Sequence, residues 1–450
     1  MILDVRENGA SGDGETKDTE AIQGTIDACE DAGGGTVYIP AGRYLSGTLD
    51  MRSNVILHLD GGAHLLASRD PSDYPETNVF LRAEGEEQMG VFGRGTVDGQ
   101  TPEDLGRRPG REGEGRPRFR TRLVLIEQCE NVRIRDVTLR NSDSWALHLR
   151  RCEDVVVDGL TVLNNYYRTN TDGINPDSSR NVRIANCNII AGDDCICLKA
   201  RDGYPCQDIV VTNCTTESIA TAIKLGTESS GDFRDVLVSN CTVRNSTVGL
   251  GIYVKDGGTV ERVTFSNISI RTLDNPTLVN APRLANAIYP IFVDIERRTD
   301  SSPVGKIRDV TFSDIHISSD NGALIQGMKE SAVEGLTLRD IDFDVNGPFD
   351  FSSRVKHAGG RANPDDDRIS RYARKPSHIT LANTRMFSVD GLRVRVDEQA
   401  YRRYGRSALG IYDSEDGSIG EVMRWPGSQT DAEPIVISEN CSRVDSGSNS

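Results

Sequence analysis

The sequence predicts an all-β fold, a parallel β-helix in which short strands stack coil upon coil. Three observations favour it. A phrase of alternating apolar residues recurs along the chain, its period lies in the twenties, and glycine is abundant (44 residues) while aromatic residues make up only 6%. Many short strands and turns suit this composition better than packed helices do.

The repeated phrase consists of alternating apolar residues, then Asn or Asp, then further alternation. It occurs as NVRIRDVTL (131–139), DVVVDGLTV (154–162), NVRIANCNI (181–189), DIVVTNCTT (208–216), DVLVSNCTV (235–243), RVTFSNISI (262–270), DVTFSDIHI (309–317) and GLTLRDIDF (335–343). Measured between the Asn or Asp markers, the steps are 22, 28, 27, 27, 27, 47 and 26 residues, and the step of 47 is interpreted as one coil plus an insertion.

Each repeat has the length of one coil of a solenoid. Alternation over five to nine residues indicates a strand, and the period is too short for a propeller blade of four strands. A leucine-rich repeat is the main competitor, but its leucine phrase and its helix pattern are absent. Stacked coils share one core, and a turn side chain that bonds to neighbouring backbone can be repeated in every coil. We therefore assign most of the Asn and Asp markers to turns and not to chemistry.

The N-terminal region departs from the repeat. Residues 18–32 have helical apolar spacing, with Asp18 or Thr19 able to cap the helix and the three glycines at 33–35 able to end it. We expect this helix to cover the N-terminal end of the solenoid. The apolar positions are Ala21, Ile22, Ile26 and Ala28.

The rest of the chain offers no linker that would divide domains. We therefore predict a single domain over residues 1–450, with a polar and disordered tail at about 443–450. The N-terminus lacks a basic segment followed by an apolar one, and no run of 18 apolar residues occurs, so a cytoplasmic location is expected.

The charge balance argues against two classes of partner. Asp plus Glu (68) exceed Lys plus Arg (52), which gives a net charge of -16 and a pI near 5.0. Neither nucleic acid nor an anionic membrane is an obvious partner for such a protein. Only eight of the basic residues are lysines, and an acidic, lysine-poor composition suggests an organism that lives in high salt.

Ten cysteines could form disulfides, but their positions favour buried thiols. Five of them fall inside apolar strand patterns of the repeat, where a thiol behaves as a small hydrophobic group. No Cys-x-x-Cys pair or His cluster indicates a metal site, so no metal and no cofactor are expected. The five are Cys187, Cys195, Cys197, Cys214 and Cys241.

Two phrases stand apart from the ordinary coils, NTDGINPDS (170–178) and AGDDCICLK (191–199). Asp172 and Asp194 are 22 residues apart, about one coil, so they should stack on the same outer face with Asp193 beside them. When carboxylates lie this close together, the pKa of one of them is raised. That group can then act as a general acid while another acts as a base. Hydrolysis of a glycosidic bond needs this combination. Both phrases also resemble ordinary turn sequences.

Five phrases resemble the signature stretches of family 28 glycoside hydrolases, the polygalacturonases and their relatives. They are NTDGI, GDDC, the upstream NSDSWALHL (141–149), and the N-terminal GASGDGETKDTEAIQGTIDAC and GGGTVYIPAGRYLSGTL. The resemblance runs from about residue 8 to about residue 270. It implies a right-handed parallel β-helix and an inverting, metal-free hydrolysis of α-linked galacturonide bonds. Carried over by position, Asp193 would be the general acid, and Asp172 with Asp194 would activate water.

The sequence departs from the family at two motifs. The family's Gly-His-Gly aligns with residues 220–222, so the expected histidine is Thr221. Its Arg-Ile-Lys aligns with residues 253–255, so Tyr253 replaces the arginine while Lys255 is retained. The resemblance implies that Lys255 pairs with a uronate carboxylate, as a compact charge without bidentate geometry. The alternative is a solvated lysine at a strand end.

Other basic residues are further candidates for binding an anionic sugar chain. Lys224, in AIKLGTES (222–229), lies between apolar strand positions and should point outward. Surface solvation explains Lys224 and Lys199 equally well. The arginine-rich stretch at 106–120 is either part of a cleft or a mobile loop. Trp145 and His148 belong to a resembling stretch, although one His on a strand is more often a packed residue than a catalyst.

Several functions stay open at this point. The first is hydrolysis of galacturonic-acid-containing polysaccharide or oligosaccharide, and a close alternative is a galacturonidase directed at rhamnogalacturonan. A pectate-type lyase would need Ca²⁺ and an arginine base, and a non-catalytic carbohydrate-binding β-helix would need no acid. Neither exo or endo action nor the oligomeric state follows from the sequence.

Overall fold

The computed structural model describes residues 1–74, 78–101, 119–166, 168–272, 288–346, 372, 375–397, 406–425 and 434–446. Residues Met1–Cys197 and Asp208–Thr215 form one compact unit, and residues Leu198–Gln207 and Thr216–Ser450 form a second. They are called unit 1 and unit 2. The single domain over residues 1–450 stays a prediction.

Among its described residues, unit 1 contains one α-helix, α1 (Thr19–Asp31), and a short 3₁₀ helix, Pro71–Asp73. Its strands are β1 (Ile2–Asp4), β2 (Asp13–Lys17), β3 (Gly35–Ile39), β4 (Gly42–Ser46), β5 (Leu49–Asp50), β6 (Val55–Leu59), β7 (Ala63–Ala67), β8 (Val79–Glu84), β9 (Gly90–Gly93), β10 (Thr96–Asp98), β11 (Arg122–Glu127), β12 (Glu130–Arg135), β13 (Thr138–Arg140), β14 (Leu147–Arg150), β15 (Glu153–Asp158), β16 (Thr161–Leu163), β17 (Ile174–Asp177), β18 (Arg180–Ala185) and β19 (Asn188–Ala191).

The next three strands have residues in both units: β20 (Ile196–Ala200), β21 (Cys206–Thr212) and β22 (Thr215–Ser218). The strands of unit 2 are β23 (Thr221–Ser229), β24 (Phe233–Ser239), β25 (Thr242–Ser246), β26 (Val248–Val254), β27 (Thr259–Thr272), β28 (Tyr289–Ile295), β29 (Lys306–Ser319), β30 (Ala323–Gln326), β31 (Val333–Val345), β32 (Ser377–Ala382), β33 (Thr384–Val396), β34 (Ser407–Tyr412), β35 (Glu415–Ile419), β36 (Val422–Trp425), β37 (Val436–Glu439) and β38 (Ser442–Ser446).

In unit 1 the coils stack as parallel strands in register. Strands β12, β15 and β18 pair in parallel, so that Val132, Val155 and Val182 occupy equivalent positions in successive coils. All three are buried, while their neighbours along each strand point outward and are at least partly exposed. The alternation read from the sequence therefore becomes an apolar ladder inside the coil, while the residues between its positions, Arg133, Val156 and Arg183 among them, point outward.

Unit 2 has the same architecture with longer strands. Strands β27, β29, β31 and β33 pair in parallel over most of their length. Phe265 and Phe312 face each other across one pair, with ring centroids 5.0 Å apart and planes 5° from parallel. The all-β parallel β-helix is thus confirmed in each unit.

The markers at 136, 186, 213 and 240 lie between strands, as predicted, and have left-handed backbone. Asn267, Asp314 and Asp340 are also left-handed but lie inside β27, β29 and β31, so the assignment to turns was wrong for these three. The φ angles are 63° at Asp136, 58° at Asn186 and 54° at Asn213, and Asn186 Nδ2 donates to Asp158 Oδ1 at 2.7 Å. One marker was placed wrongly. The left-handed residue of the second repeat is Gly159 (φ 69°), not Asp158, because glycine adopts this conformation without steric cost.

Helix α1 forms where it was predicted, but its details differ. Asp18 precedes the helix without capping it, since its carboxylate accepts hydrogen bonds from the backbone N–H groups of Ser11 (2.6 Å) and Gly12 (3.1 Å). Thr19 does not cap it either, because its Oγ1 accepts from Gly47 N–H at 2.9 Å. The helix packs on β1, β3, β5 and β6, the first strands of the chain, as a cover for that end. Its buried residues are Ile22, Thr25, Ile26 and Cys29, whereas Ala28 is exposed.

The cysteines are free thiols, as the strand patterns predicted. All ten lie in the described part of the chain, nine are buried and Cys441 is half-buried. The predicted disordered tail at 443–450 was partly wrong, because residues up to 446 form β38, which pairs in parallel with β35. Residues 447–450 lie outside the described chain. Among the described helices, none has the length and apolar character needed to traverse a lipid bilayer.

Candidate active site

Asp172 and Asp194 lie on neighbouring coils of unit 1. The backbone N–H of Ala146 donates to the carbonyl oxygen of Asp172 at 2.9 Å, and that of Gly173 donates to the carbonyl oxygen of Asp194 at 2.9 Å. Both side chains are buried, with 2% and 3% of their surface exposed. A carboxylate oxygen of each lies within 4.8 Å of the other. Because an O–H···O hydrogen bond spans about 2.7 Å, one water molecule can donate to both carboxylates.

Two asparagines orient Asp172. Asn175, which is fully buried, donates from Nδ2 to Asp172 Oδ2 at 2.8 Å. Asn164 donates from Nδ2 to the carbonyl oxygen of Thr171 at 3.0 Å and more weakly to that of Asp172 at 3.5 Å. A donor aimed at a carboxylate favours its charged form, which is the form that can accept a proton from water.

Asp193 occupies a different environment from its two neighbours. Its side chain is half-buried, in contrast to those of Asp172 and Asp194. Its Oδ2 accepts a hydrogen bond from the backbone N–H of Asn170 at 2.9 Å. The structure thus ties Asp193 to the NTDGI segment, as the sequence predicted when it placed the two phrases on adjacent coils.

The same two buried carboxylates form, with Cys197, a group that could hold a metal ion. One ligand atom from each of Asp172, Asp194 and Cys197 lies within 4.8 Å of the others. This is the single such group of three or more in the described residues, and it contains no histidine. Structural zinc sites in proteins have four ligands, mostly Cys and His, so the set is a poor match for one. The absence of a metal stays a prediction.

Trp145 and His148 lie on the coil that precedes Asp172. His148 is buried; its Nδ1 lies 3.1 Å from Arg122 Nη1 and its Nε2 lies 2.9 Å from Asp177 Oδ2. Since a guanidinium can only donate, Nδ1 accepts from Arg122, and Nε2–H donates a hydrogen bond to the Asp177 carboxylate. The Arg122 guanidinium lies 5.3 Å from the Trp145 ring centroid, and the His148 ring lies 4.6 Å from that ring, edge-on. His148 is therefore a packed residue that orients Arg122.

In unit 2 the structure brings the predicted basic residues into one buried group, called the lysine cluster (Lys199, Lys224 and Lys255). Their exposed fractions are 4%, 6% and 1%. Surface solvation, which was the alternative explanation for each of them, is therefore wrong. A buried ammonium group needs a compensating negative charge or acceptor.

Glu228 supplies one compensating charge. Its Oε2 lies 3.1 Å from Lys199 Nζ. Burial raises the pKa of Glu228, but Lys199 and Lys224 outweigh that effect and bring the pKa down to about 2. Glu228 is therefore ionised at neutral pH.

Glu296 supplies a second charge, in direct contact with Lys255 Nζ. Both side chains are 2% exposed in this ion pair. Burial lowers the pKa of Lys255 to about 8, an effect that Asp294 opposes and Lys224 strengthens.

Tyr253 and Thr221 join the lysine cluster through the tyrosine ring. Tyr253 is fully buried; its ring centroid lies 4.9 Å from Lys224 Nζ and 5.1 Å from the Phe292 ring. The hydroxyl groups of Tyr253 and Thr221 are 3.5 Å apart. The four residues predicted to bind substrate thus lie together, with Tyr253 serving as a cation–π partner of Lys224.

Several residues of these groups were not singled out from the sequence. Glu228 had a usable signal, since it lies four residues after Lys224 in an alternating strand and so on the same face. Asn175 lies within the phrase NTDGINPDS (170–178), but nothing in the sequence distinguished it from its neighbours. Glu296 and Asp294 follow the insertion after β27, outside the repeated phrase, and nothing in the sequence pointed to them. The predicted arginine-rich stretch at 106–120 lies outside the described residues except for Phe119 and Arg120.

Comparison with known proteins gives a family match. Residues 29–359 match the sequence model of glycosyl hydrolases family 28. A probable polygalacturonase of Vitis vinifera is 34% identical over 249 residues, which cover 50% of this chain and 51% of that protein. An exopolygalacturonase of Zea mays is 31% identical over 199 residues, 43% of this chain and 48% of that protein. The chain thus spans about half the length of these curated relatives.

Solved structures agree on the fold. A hyperthermoactive exopolygalacturonase from Thermotoga maritima is 21% identical and has a TM-score of 0.67, covering 77% of this chain and 87% of its own. A family 28 exopolygalacturonase from Yersinia enterocolitica is 19% identical with a TM-score of 0.66, covering 99% and 78%. At these identities the likeness concerns the fold alone, and it confirms the right-handed parallel β-helix.

Proposed function

Because the chain belongs to glycosyl hydrolases family 28, we propose that it is an inverting glycosidase that hydrolyses α-linked galacturonide bonds in pectin-type polysaccharide or oligosaccharide. The observation that carries this proposal is the pair of buried carboxylates, Asp172 and Asp194, with oxygens within 4.8 Å of each other. That separation suits one water molecule held by both.

In the proposed reaction, Asp193 acts as the general acid and donates a proton to the glycosidic oxygen as the bond to the anomeric carbon breaks. A water molecule held by Asp172 and Asp194 loses a proton to this pair while its oxygen attacks the anomeric carbon from the opposite face. One water is consumed and the anomeric configuration is inverted. Proton transfers between carboxylates and water need no cofactor.

The lysine cluster supports a substrate that carries carboxylates. We propose that Lys255 and Lys224 bind uronate groups of the sugar chain, with Tyr253 and Thr221 shaping the same site. The Tyr253 ring carries no charge of its own, unlike the arginine that it replaces. It makes a cation–π contact with Lys224 Nζ, 4.9 Å from its centroid, and so helps to position that charge. The relatives named as polygalacturonases support galacturonate as the sugar.

A substrate panel tests the proposal. The protein would be incubated with polygalacturonan, rhamnogalacturonan and short galacturonate oligomers, at low and at high salt, and reducing ends would be measured. We expect hydrolysis of a galacturonate-containing member, and proton NMR of the first product should show the inverted anomer. Asp193→Asn is the matched control for contaminating activity.

Two outcomes would overturn the proposal. If no member of the panel is cut at either salt concentration, the pectinolytic function is wrong. If the product is unsaturated, absorbs in the ultraviolet and disappears on addition of a chelator, the chain is a lyase that acts by elimination.

A further inference from the structure

Asp143 is a fully buried aspartate in the NSDSW stretch of unit 1, between β13 and β14. Its carboxylate accepts four hydrogen bonds. Arg69 Nη1 (2.5 Å) and the backbone N–H of Thr121 (3.1 Å) donate to Oδ2. Thr101 Oγ1 (2.9 Å) and Arg168 Nη2 donate to Oδ1. A buried carboxylate with this many donors is fixed in one orientation.

The backbone of Asp143 binds arginines as well. Its carbonyl oxygen accepts from Arg120 Nε at 2.9 Å, from Arg120 Nη2, and more weakly from Arg168 Nε at 3.4 Å. Two guanidinium groups therefore converge on this carbonyl oxygen, and two, those of Arg69 and Arg168, bind the carboxylate. Their planar forks restrict where Arg120 and Arg168 can place their remaining donors.

Those donors reach the segment 168–171, which precedes Asp172. Arg120 Nη2 donates to the carbonyl oxygen of Thr169 at 2.6 Å, and Arg120 Nη1 lies 3.5 Å from Asn170 Oδ1. Arg168 belongs to the segment itself, and its carbonyl oxygen accepts from Thr171 Oγ1 at 2.8 Å. Asn170 has a left-handed backbone (φ 58°), so its N–H direction depends on the segment staying in this shape.

The N–H of Asn170 is the group that donates to Asp193 Oδ2 at 2.9 Å. We propose that Asp143 is a positioning residue for Asp193, acting through Arg120 and Arg168 to hold the Asn170 N–H against the carboxylate. The proposal rests on the proposed function insofar as Asp193 is the general acid. It explains why a buried aspartate contacts three arginines one coil before Asp172.

Positioning and simple structural support differ in what they do to the Asp193 proton. A backbone N–H that donates to a carboxylate stabilises its charged form, so its loss should make Asp193 keep its proton to higher pH. Loss of the same contact should also misplace the acid, which costs about tenfold to a hundredfold in kcat when geometry shifts by about 1 Å. A residue that only supports the fold would lower stability without moving the pH dependence.

The test uses Arg120, which is half-buried and can be changed with less risk to folding than Asp143. Arg120→Gln removes the contacts to Asp143 and Thr169, and Arg120→Lys keeps the charge but loses the fork. We expect both variants to lower kcat about tenfold to a hundredfold with little change in KM, and to move the basic limb of the kcat profile to higher pH. Asp143→Asn should act in the same direction, provided that circular dichroism shows it folded.

Arg133→Gln is the matched control. Arg133 also donates to backbone carbonyl oxygens of unit 1, those of Val132 (3.0 Å) and Asp154 (2.8 Å). It lies in β12, a strand of the repeated phrase, and not in the segment next to Asp172. Its kcat and pH profile should equal those of the parent. The proposal is wrong if Arg120→Gln leaves the basic limb in place, if Arg120→Lys behaves like the parent, or if Arg133→Gln shifts the limb equally.

A second readout separates this proposal from the proposed function. The pKa of the Asp193 carboxyl can be followed by carbon NMR, with the signal assigned by its absence in Asp193→Asn. We expect that pKa to rise in Arg120→Gln whether or not the substrate has been identified. A raised pKa without any hydrolysis by the parent would reject the function and keep the positioning, whereas hydrolysis with an unchanged pKa would reject the positioning.

Discussion

The candidate active site of unit 1 and the lysine cluster of unit 2 are both sets of mostly buried ionisable groups, but their hydrogen-bond and ion-pair partners differ in charge. In unit 1, neutral donors orient the carboxylates: the amide of Asn175 on Asp172 and the backbone N–H of Asn170 on Asp193. In unit 2, full opposite charges lie on the lysines, Glu228 on Lys199 and Glu296 on Lys255.

The difference teaches what each group is suited to. A neutral donor fixes the direction of a carboxylate and still lets it exchange a proton, as acid–base chemistry requires. An ion pair fixes the charge state, and the pKa of about 2 at Glu228 shows how strongly. We infer that unit 1 supplies proton transfer and that unit 2 supplies fixed charge, and each prediction below changes one side of this contrast.

The largest expected effect is on the carboxylate side. Asp193→Asn keeps the size of the side chain and removes its proton donor, so kcat should fall by about 10² to 10⁴, the usual contribution of general acid–base catalysis. Stability should change little, because Asp193 is half-buried and the amide oxygen can still accept from Asn170. Activity assays and thermal melts on the same sample would check both statements.

Asp136→Asn is the matched control for that substitution, since Asp136 is a turn marker with φ 63° and asparagine adopts such angles readily. It should leave kcat unchanged. A loss of activity at Asp136 equal to that at Asp193, or full activity in Asp193→Asn, would refute the assignment of the acid.

Next in size is the ion pair of Lys255 and Glu296. Glu296→Gln removes the carboxylate that contacts the buried ammonium group of Lys255, which should destabilise the fold by about 3 to 5 kcal/mol. Chemical denaturation would measure the loss. The double variant Lys255→Met with Glu296→Gln should recover much of it, because the buried charge is gone.

An exposed pair is the control for this effect. Arg262 and Asp235 form a pair with 50% and 44% of their side chains exposed, and Asp235→Asn should cost about 1 kcal/mol or less. If Glu296→Gln costs no more than Asp235→Asn, the view that the lysine cluster depends on buried fixed charges fails.

Most of the fold could be predicted from the sequence because one physical pattern repeats. Alternation places Val132, Val155 and Val182 inside, and the turn markers follow from side chains that tolerate left-handed backbone. The errors were local. Asp18 bonds to the turn before α1 in place of capping it, and the sequence alone does not decide between two nearby sets of N–H donors.

The candidate site was only partly predictable. Asp172 and Asp194 could be paired because one coil separates them, but Glu296, the partner of Lys255, comes from another coil at an irregular distance in sequence. Glu296 lies 41 residues after Lys255, beyond an insertion that breaks the period. Burial was the second limit, since a lysine in an alternating strand looks solvent-exposed until the structure places an acid beside it.

A smaller effect concerns pH and Glu228. Its pKa is about 2 in the folded protein against an ordinary value of 4.5, so it adds stability above pH 4.5 that is lost as the pH falls towards 2. Glu228→Gln should therefore melt at a lower temperature than the parent at pH 7, and the gap should narrow between pH 4.5 and 2. Glu415→Gln, at an exposed pair with Arg443, is the control and should show a smaller gap. A gap for Glu228→Gln that stays constant with pH would contradict the assigned pKa.

The smallest effect belongs to the turn markers, which we assign no chemistry. Asn213 has φ 54°, and its Nδ2 lies 3.4 Å from Asn186 Oδ1. Asn213→Ala should cost about 1 to 2 kcal/mol, since alanine is strained in left-handed backbone, whereas Asn213→Gly should cost less because glycine is not. Urea denaturation would rank the two, and kcat should match the parent in both. If Asn213→Gly lowers kcat while alanine does not, the marker has a role in the reaction and the separation of turn residues from catalytic residues along the coils is wrong.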